Sequence, residues 1–304
     1  MTRDHAEAYD AWNDLTMAGT ELDLAPTTRD LREQAAAAAR RAADRAGIVV
    51  RTLNTLAELD EGSRLIARIW DDEDGDPKAP TSLLRALAHA GNFVAGAFYG
   101  DRLVGVSFGF FGLDSAELHL HSHITGVDRE FQSRSIGFAL KQFQRSWALE
   151  RDTRTIVWTA DPLVRGNAFF NLVKLGATMA AYHENFYGVL EDGLNAGDSD
   201  RVVLRWDLAS DRAVGAADGS ALDPRLDEGR VVLRPGADGE PAISAPSGDV
   251  LLAWLPESIV SIREHDPERA SAWRLALRDT VGRALAGEFR ADTITRDGWL
   301  VLRR

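Results

Sequence analysis

Apolar and polar positions along this chain follow two periods, near 3.6 and near 2, and the places where the period changes mark its elements. Residues 29–45, rich in Ala and Arg, read as a helix ending at Gly47. It has few large apolar side chains, so a surface position is expected. Residues 48–53 read as a strand, and Leu56, Leu59, Ser63, Ile66 and Trp70 then share one helix face. The acidic run 71–76, with Pro77 and Pro80, reads as a loop. A helix over 81–90 leads through Gly91 and Asn92 into strands over 93–98 and 103–110. Tyr99, Gly100, Asp101 and Arg102 between them form a hairpin signal. A strand at 116–127, a helix at 134–150, a strand at 155–160, a helix at 164–175 and a strand or strand pair at 177–189 complete the series.

Near Leu190 the texture changes. Residues 209–229 and 235–249 are rich in Gly, Ala, Asp and Pro and read as exposed loops around a short strand at 231–233. A last unit begins with a strand at 250–255. Asp266 and Pro267 supply an N-cap and a first-turn proline, and Ala270, Trp273, Leu277, Val281 and Leu285 form the buried stripe of one helix before a closing strand at 299–302. Trp254, Trp273 and Trp299 read as core of that unit. The division is therefore an N-terminal helical arm (1–47), a main domain (48–208), a loop-rich linker (209–249) and a strand-helix-strand unit (250–304). The element order predicts an α/β chain of the α+β type, a mixed sheet with helices on its faces.

Composition narrows the function. The 304 residues, 45% hydrophobic and 27% charged, suffice for a sizeable core. No apolar run is long enough for a membrane span and the first residues are polar and acidic, so the cytoplasm is the expected location, with no membrane partner. The absence of cysteine removes thiolate nucleophiles and cysteine-ligated zinc. A net charge of -12 argues against a general nucleic-acid binder, while leaving room for local basic patches.

One such patch stands out. From Val127 to Ala139 an apolar strand passes into an amphipathic helix through small and basic residues. Ile136, Ala139, Leu140, Phe143 and Trp147 recur on one face of that helix, with Arg134, Lys141, Gln144 and Arg145 on the other. The turn at 131–137 is expected to present unpaired N–H groups, with Arg134 beside them, to a phosphate-bearing ligand. Gln132, Ser133, Arg134, Ser135, Ile136 and Gly137 here resemble the Gln/Arg-x-x-Gly-x-Gly/Ala signature of the GNAT superfamily of acyl-CoA-dependent N-acyltransferases, with Ser135 in place of the first glycine. A frame starting at Arg134 and ending at Ala139 fits the letters, but the spacing from Val127 favours the first. Downstream, Asp161, Pro162 and Leu163, then Arg165, Asn167 and Ala168, then Asn171, Lys174, Leu175 and Gly176 resemble a little-described branch of predicted GNAT proteins. With Asn185 to Gly188, and with Asp200 and Arg201, the resemblance covers 48–208.

The resemblance implies a mostly antiparallel GNAT-like sheet and acetyl-CoA or another acyl-CoA as co-substrate, with no metal. It implies that Gln132, Ser133, Arg134, Ser135, Ile136, Gly137 and Phe138 hold the pyrophosphate, and that the backbone near Ile124, Gly126 and Val127 meets the thioester. Asn167 and Asn171, four apart on one helix face, are candidates for pantetheine or for solvent. Family members often carry a tyrosine four residues before the later glycine to protonate the leaving thiolate. Leu172 stands there in this chain, which leaves Tyr182, Tyr187 or solvent for that role.

The chemistry also needs a base. Glu117, His119, His121 and His123 alternate, so a regular strand places them on one face. His121 falls where several family members keep a catalytic glutamate, and a neutral imidazole suits a general base at pH 7. Half-buried structural histidines are the plainer reading, and a His-x-His metal site lacks a committed carboxylate. Glu117 is a further candidate, acting through water. The expected function is N-acylation of a small amine by direct attack on the thioester, with a homodimer left open. The rival is a non-catalytic acyl-CoA sensor or interaction protein on the same scaffold.

Overall fold

The computed structural model describes residues 26–70, 78–114, 117–190, 197–220 and 228–304. The arm before residue 26 and the acidic run 71–76 lie outside the described residues. Helix α1 (Pro26–Ala46) runs into strand β1 (Val49–Thr52), followed by α2 (Leu56–Trp70) and α3 (Thr81–His89). A reciprocal capping box starts α2: the Glu58 amide donates to Thr55 Oγ1 at 3.2 Å, and the Thr55 amide to Glu58 Oε2 at 3.0 Å. These backbone donors, from Thr55 and then Asn54, hold the Glu58 carboxyl down to about 2. Strands β2 (Phe93–Tyr99), β3 (Arg102–Asp114) and β4 (Glu117–Val127) form a meander, its first turn closed at Gly100 with φ of 57°. Next come α4 (Ile136–Leu149), β5 (Thr155–Ala160) and α5 (Arg165–Phe169), which continues as a π turn over Phe170–Lys174. Strand β6 (Thr178–His183) precedes a small separate ladder of β7 (Val189–Leu190) with β8 (Gly197–Asp198), and then β9 (Arg201–Asp207).

The main sheet has the order β1-β2-β3-β4-β5-β9-β6 and is antiparallel except for the β4–β5 pair. Strand alternation divides the β2 side chains between two covers. Val94 and Phe98 join Leu59, Leu65, Ile66 and Leu84 of α2 and α3, whereas Ala97 joins Ala42, Ile136 and Leu140 of α1 and α4.

The surface position expected for the first helix is corrected. Ala35, Ala38, Ala39 and Ala42 are buried, and their short side chains let α1 lie closely against α4. Covered by α1 on one side and the sheet on the other, α4 has no fully wet face. Lys141, Gln142, Gln144 and Arg145 are all buried, and the Arg145 guanidinium is satisfied by the Leu208 carbonyl and by Gln34.

The stretch read as loop-rich linker contains more structure than expected. It holds α6 (Asp211–Asp218), capped by Ser210, and strands β10 (Arg230–Pro235) and β11 (Pro241–Ile243). The last unit carries β12 (Val250–Trp254), an extra helix α7 (Ile259–His265), and α8 (Pro267–Leu277), whose N-cap Asp266 accepts from the Arg269 amide at 3.0 Å. A π turn (Arg278–Gly282) leads into α9 (Arg283–Ala286), and the chain closes with two strands, β13 (Arg290–Ile294) and β14 (Trp299–Arg303), where the sequence suggested one. The sheet runs on through β13-β14-β12-β10-β11 to twelve strands, joined at the seam by Ala291 against Met179. Trp273 is core, while Trp254 and Trp299 face each other half-buried in register.

Candidate active site

The site grows from a fork in the sheet. Parallel β4 and β5 pair only through Leu120 with Ile156 and His121 with Val157, although both strands run on past these residues. Beyond them the strands diverge, leaving main-chain groups of β4 without a sheet partner on the β5 side. Just past the last pair, Ser122 and Ile124 of β4 oppose Gly109 and Phe108, so His123 is the extra residue of a bulge. The fork opens into a cleft of about 730 Å³ lined by His123, Ile124, Thr125, Val127, Trp158 and Asp161, with Asn167, Asn171 and Tyr187 on the far side.

A second cavity of about 550 Å³ adjoins it, sharing Val127, Gly137 and Phe170. Gln132, Ser133, Ser135, Ile136 and Phe138 line it, with Arg45 and Lys174 across from them. The turn that leads into α4 is held in an unusual shape: Ser133 and Ser135 have φ of 63° and 62°, a left-handed conformation that costs a side-chain-bearing residue free energy. Ser135 caps α4 without a side-chain hydrogen bond. Among the described residues, the backbone N–H groups of residues 133–138 donate to no protein acceptor. Such N–H groups at a helix N-terminus, flanked by two cations, form a site for anionic oxygens. The donor set fits a pyrophosphate.

Two histidines approach the fork on one side of the sheet. The His121 ring stacks on Phe110 with centroids 5.0 Å apart, and His123 lies 5.9 Å from His121 and 5.4 Å from Phe108. Burial lowers the His121 imidazole to about 4, helped by His123, His119 and Lys141, and desolvation also lowers His123 even though it keeps solvent contact. Both rings are therefore neutral bases at pH 7. His123 lines the cleft, and His121 sits behind it.

Other sequence candidates lie apart. Glu117, at the exposed start of β4, accepts hydrogen bonds from Thr155 at 2.9 Å and from Arg205 at 2.8 Å, and those donors hold its carboxyl below the usual range. It does not line the cleft. A Cβ on Gly126 would come within 2.9 Å of Ile69 and Trp70, so this residue serves the packing of α2. Arg134 is exposed, its guanidinium 5.0 Å from the Phe131 ring centroid. The Tyr182 hydroxyl donates to Asp200 at 2.6 Å and is held far above its ordinary range by burial and by that carboxylate, so it keeps its proton and is a poor acid for a leaving thiolate. Tyr187 does line the cleft, its hydroxyl 3.2 Å from Thr159 Oγ1. Leu172 is fully buried. Among the described residues, no group of three or more His, Asp or Glu side chains is arranged to hold a metal ion.

Sequence reading missed Lys141. From α4 its Nζ reaches the apex of the fork, donating to Ser122 Oγ at 2.8 Å and Gln144 Oε1 at 3.1 Å, 4.0 Å from the Trp158 ring centroid. It is 4% exposed, has no carboxylate partner among the described residues, and is pushed down to about 7 by burial. Trp158 and Ser122, on either prong just past the last paired residues, were the available signal. Lys141, five residues after the first residue of the helix that follows the anion-binding turn, faces them.

Residues 29–162 match a family model described as an acetyltransferase (GNAT) domain. No curated protein matches the sequence. Similar solved structures include a GNAT-family acetyltransferase from Streptococcus pneumoniae (12% identity, 52% of this chain and 98% of that chain, TM-score 0.43). An aminoglycoside 6'-acetyltransferase type Ii (18%, 53% and 97%, 0.42) is another. A third is the ribosomal-protein-S18-alanine N-acetyltransferase from Escherichia coli (13%, 54% and 95%, 0.42). No helix among the described residues is long and apolar enough to cross a membrane. The acetyltransferase (GNAT) match spans β1 through β5, the segment that builds the forked sheet and the amide-lined turn.

Proposed function

We propose that the protein transfers an acyl group, acetyl in the first instance, from an acyl-CoA to a small amine. The observation that carries this reading is the continuity of the two cavities: the amide-lined turn at residues 133–138 opens through Val127 and Gly137 into the fork between β4 and β5. The turn, with Gln132 and Lys174, would hold the pyrophosphate, and Asn167 and Asn171 would meet the pantetheine arm. The Asn171 amide is 5% exposed and has no side-chain partner among the described residues, so its hydrogen-bonding capacity is directed at the cleft. Acyl-CoA supplies a thioester, an acyl group already activated toward attack.

The chain's own residues supply proton handling and orientation. His123, neutral and at the cleft wall, takes the proton from the attacking amine, with His121 packed behind it to fix the ring. Unpaired amides of β4 near Ile124 are oriented for a developing oxyanion. Lys141 at the apex, and Tyr187 across the cleft, line the cleft as proton donors that can serve a leaving thiolate. Lys141 combines burial with a pKa near neutrality, so it is the stronger candidate.

The test is release of free thiol from acetyl-CoA across a panel of amines. Turnover with at least one amine is expected, with His123→Ala lowering kcat by about 10²-fold or more while the Kd for CoA stays within about twofold. His121→Ala is expected to fall between the variant and the wild type. Association with CoA and no turnover anywhere would move the chain to the sensor reading, to which Ser135 in the glycine position and Leu172 in the tyrosine position already point.

A further inference from the structure

The far end of the cleft carries a surplus of buried positive charge. Asp161, just beyond β5, accepts from Arg263 Nη2 at 2.6 Å and from the Leu163 amide at 2.9 Å, with Arg274 Nη2 at 3.9 Å. Both arginines come from the C-terminal unit, on α7 and α8. A third, Arg201 at the start of β9, is 7% exposed and lines the cleft beside Asp161. The nearest other buried carboxylate, Asp200, is committed to Arg278 through two hydrogen bonds of 2.6 Å and to Tyr182. Glu184 is exposed and sits 3.7 Å from Arg278. One carboxylate therefore serves three guanidinium groups, and among the described residues no other carboxylate is placed to neutralise the remainder.

Arg201 holds the open valence. Its Nη1 donates to the Asp200 carbonyl at 2.9 Å, and its guanidinium lies 5.4 Å from the Tyr187 ring centroid. The other N–H donors of Arg201 have no acceptor among the described residues. Those of Arg263 Nη1 and Arg274 Nη1 are also without one, but these two atoms are sealed inside the protein, whereas Arg201 borders the cleft. Burial lowers the Arg201 guanidinium below its ordinary range, Arg274 and Arg263 push it the same way, and Asp161 offsets part of the shift. A buried charge in this state gains most from an anion that brings its own lone pairs.

Resting on the acyltransferase reading above, we propose that the acceptor amine also carries a carboxylate, which Arg201 binds at the end of the cleft beyond β5, so that the substrates are amino acids or amines of that type. A planar carboxylate matches the two-pronged donor edge of a guanidinium. The position suits it as well. Val202 pairs with Ala160, so Arg201 lies some three residues, roughly 10 Å of strand, beyond Trp158 at the fork. An arginine side chain reaching back and an amino acid reaching forward span that interval. Acidic residues at 71–76, which by charge alone favour a cationic acceptor, lie outside the described residues.

The experiment compares phenylalanine, methionine, glutamate and lysine with their α-carboxamides, and includes phosphoethanolamine, in thiol release from acetyl-CoA. At least one amino acid is expected to exceed its carboxamide by about tenfold or more in kcat/KM, a preference that Arg201→Met abolishes mainly through KM and Arg201→Lys partly restores. Acetyl-CoA affinity and the melting temperature of Arg201→Met should match the wild type, which separates loss of the subsite from loss of the fold. The same amino acid and carboxamide pairs are titrated into the CoA-loaded protein. Selective binding of the carboxylate without turnover keeps the subsite and overturns the acyltransferase reading. Equal use or equal binding of the carboxamides, a preference for phosphoethanolamine, or a carboxylate preference that survives in Arg201→Met overturns the subsite.

Discussion

An ammonium group enclosed by Trp158, Ser122 and Gln144 has lost most of its hydration and has gained no counter-charge. For Lys141 the pKa falls from 10.5 to about 7. Between those values the unfolded chain holds a proton that the folded chain has released, so stability rises with pH across that window. Below pH 7 the full penalty is present. Lys141→Met keeps the apolar stem and is expected to raise the melting temperature, by an amount equivalent to a few kcal/mol at pH 6 and much less near pH 10, while slowing acyl transfer. Thermal unfolding at the two pH values checks this; a lower melting temperature at pH 6 would make Lys141 a structural support. The alternating histidines were legible because strand periodicity sorts side chains by parity. Lys141 was not, because an amphipathic helix was assumed to have a wet side, and α1 takes that place on α4.

At the level of elements, the fork depends on a bulge at His123, and the bulge depends on Gly109. A Cβ there would come within 2.5 Å of the His121 carbonyl oxygen, a main-chain atom that cannot move without shifting β4. Gly109→Ala is therefore expected to cost roughly 1–3 kcal/mol and to lower turnover more than it lowers stability would suggest, since it displaces both histidines. Urea denaturation paired with the thiol-release assay measures both; an unperturbed variant would show that the bulge is not what sets the fork. The strand and helix series from 48 to 183 could be read from periodicity, including the turn into α4. The bulge could not, because it depends on pairing between strands, and the single extra residue leaves the alternation of β4 intact in sequence. The π turn over Phe170–Lys174, which brings Phe170 and Asn171 to the cleft, is hidden for the same reason.

Across the whole molecule, one apolar cluster extends from Ile156, Leu204 and Trp206 of the forked sheet to Trp273, Leu277 and Ile294 of the C-terminal unit. Buried ion pairs reinforce this join, Arg278 with Asp200 and Arg263 with Asp161. Thermal unfolding is thus expected as one calorimetric transition, lowered by about 3–5 kcal/mol in Asp200→Asn, which removes the buried carboxylate that Arg278 donates to. Two separated transitions would mean that the halves are independent. Composition revealed the change of texture near residue 190 but not the continuation of the sheet, because the joining contacts are between residues far apart in sequence. The arginines that reach Asp161 from α7 and α8 were illegible for that reason, and with them the charge at the end of the cleft. The central claim remains that the turn before α4 grips a pyrophosphate through main-chain amides. Gly137 gives a direct way to test it: a Cβ there meets nothing closer than Val127 Cγ2 at 4.0 Å, so Gly137→Asp adds a carboxylate to the anion site without a clash. Calorimetric titration of acetyl-CoA into both proteins should show one-to-one association with the wild type and a loss of about 10²-fold or more in the variant, at unchanged melting temperature. No association with the folded wild type, or equal affinity in Gly137→Asp, would contradict the account.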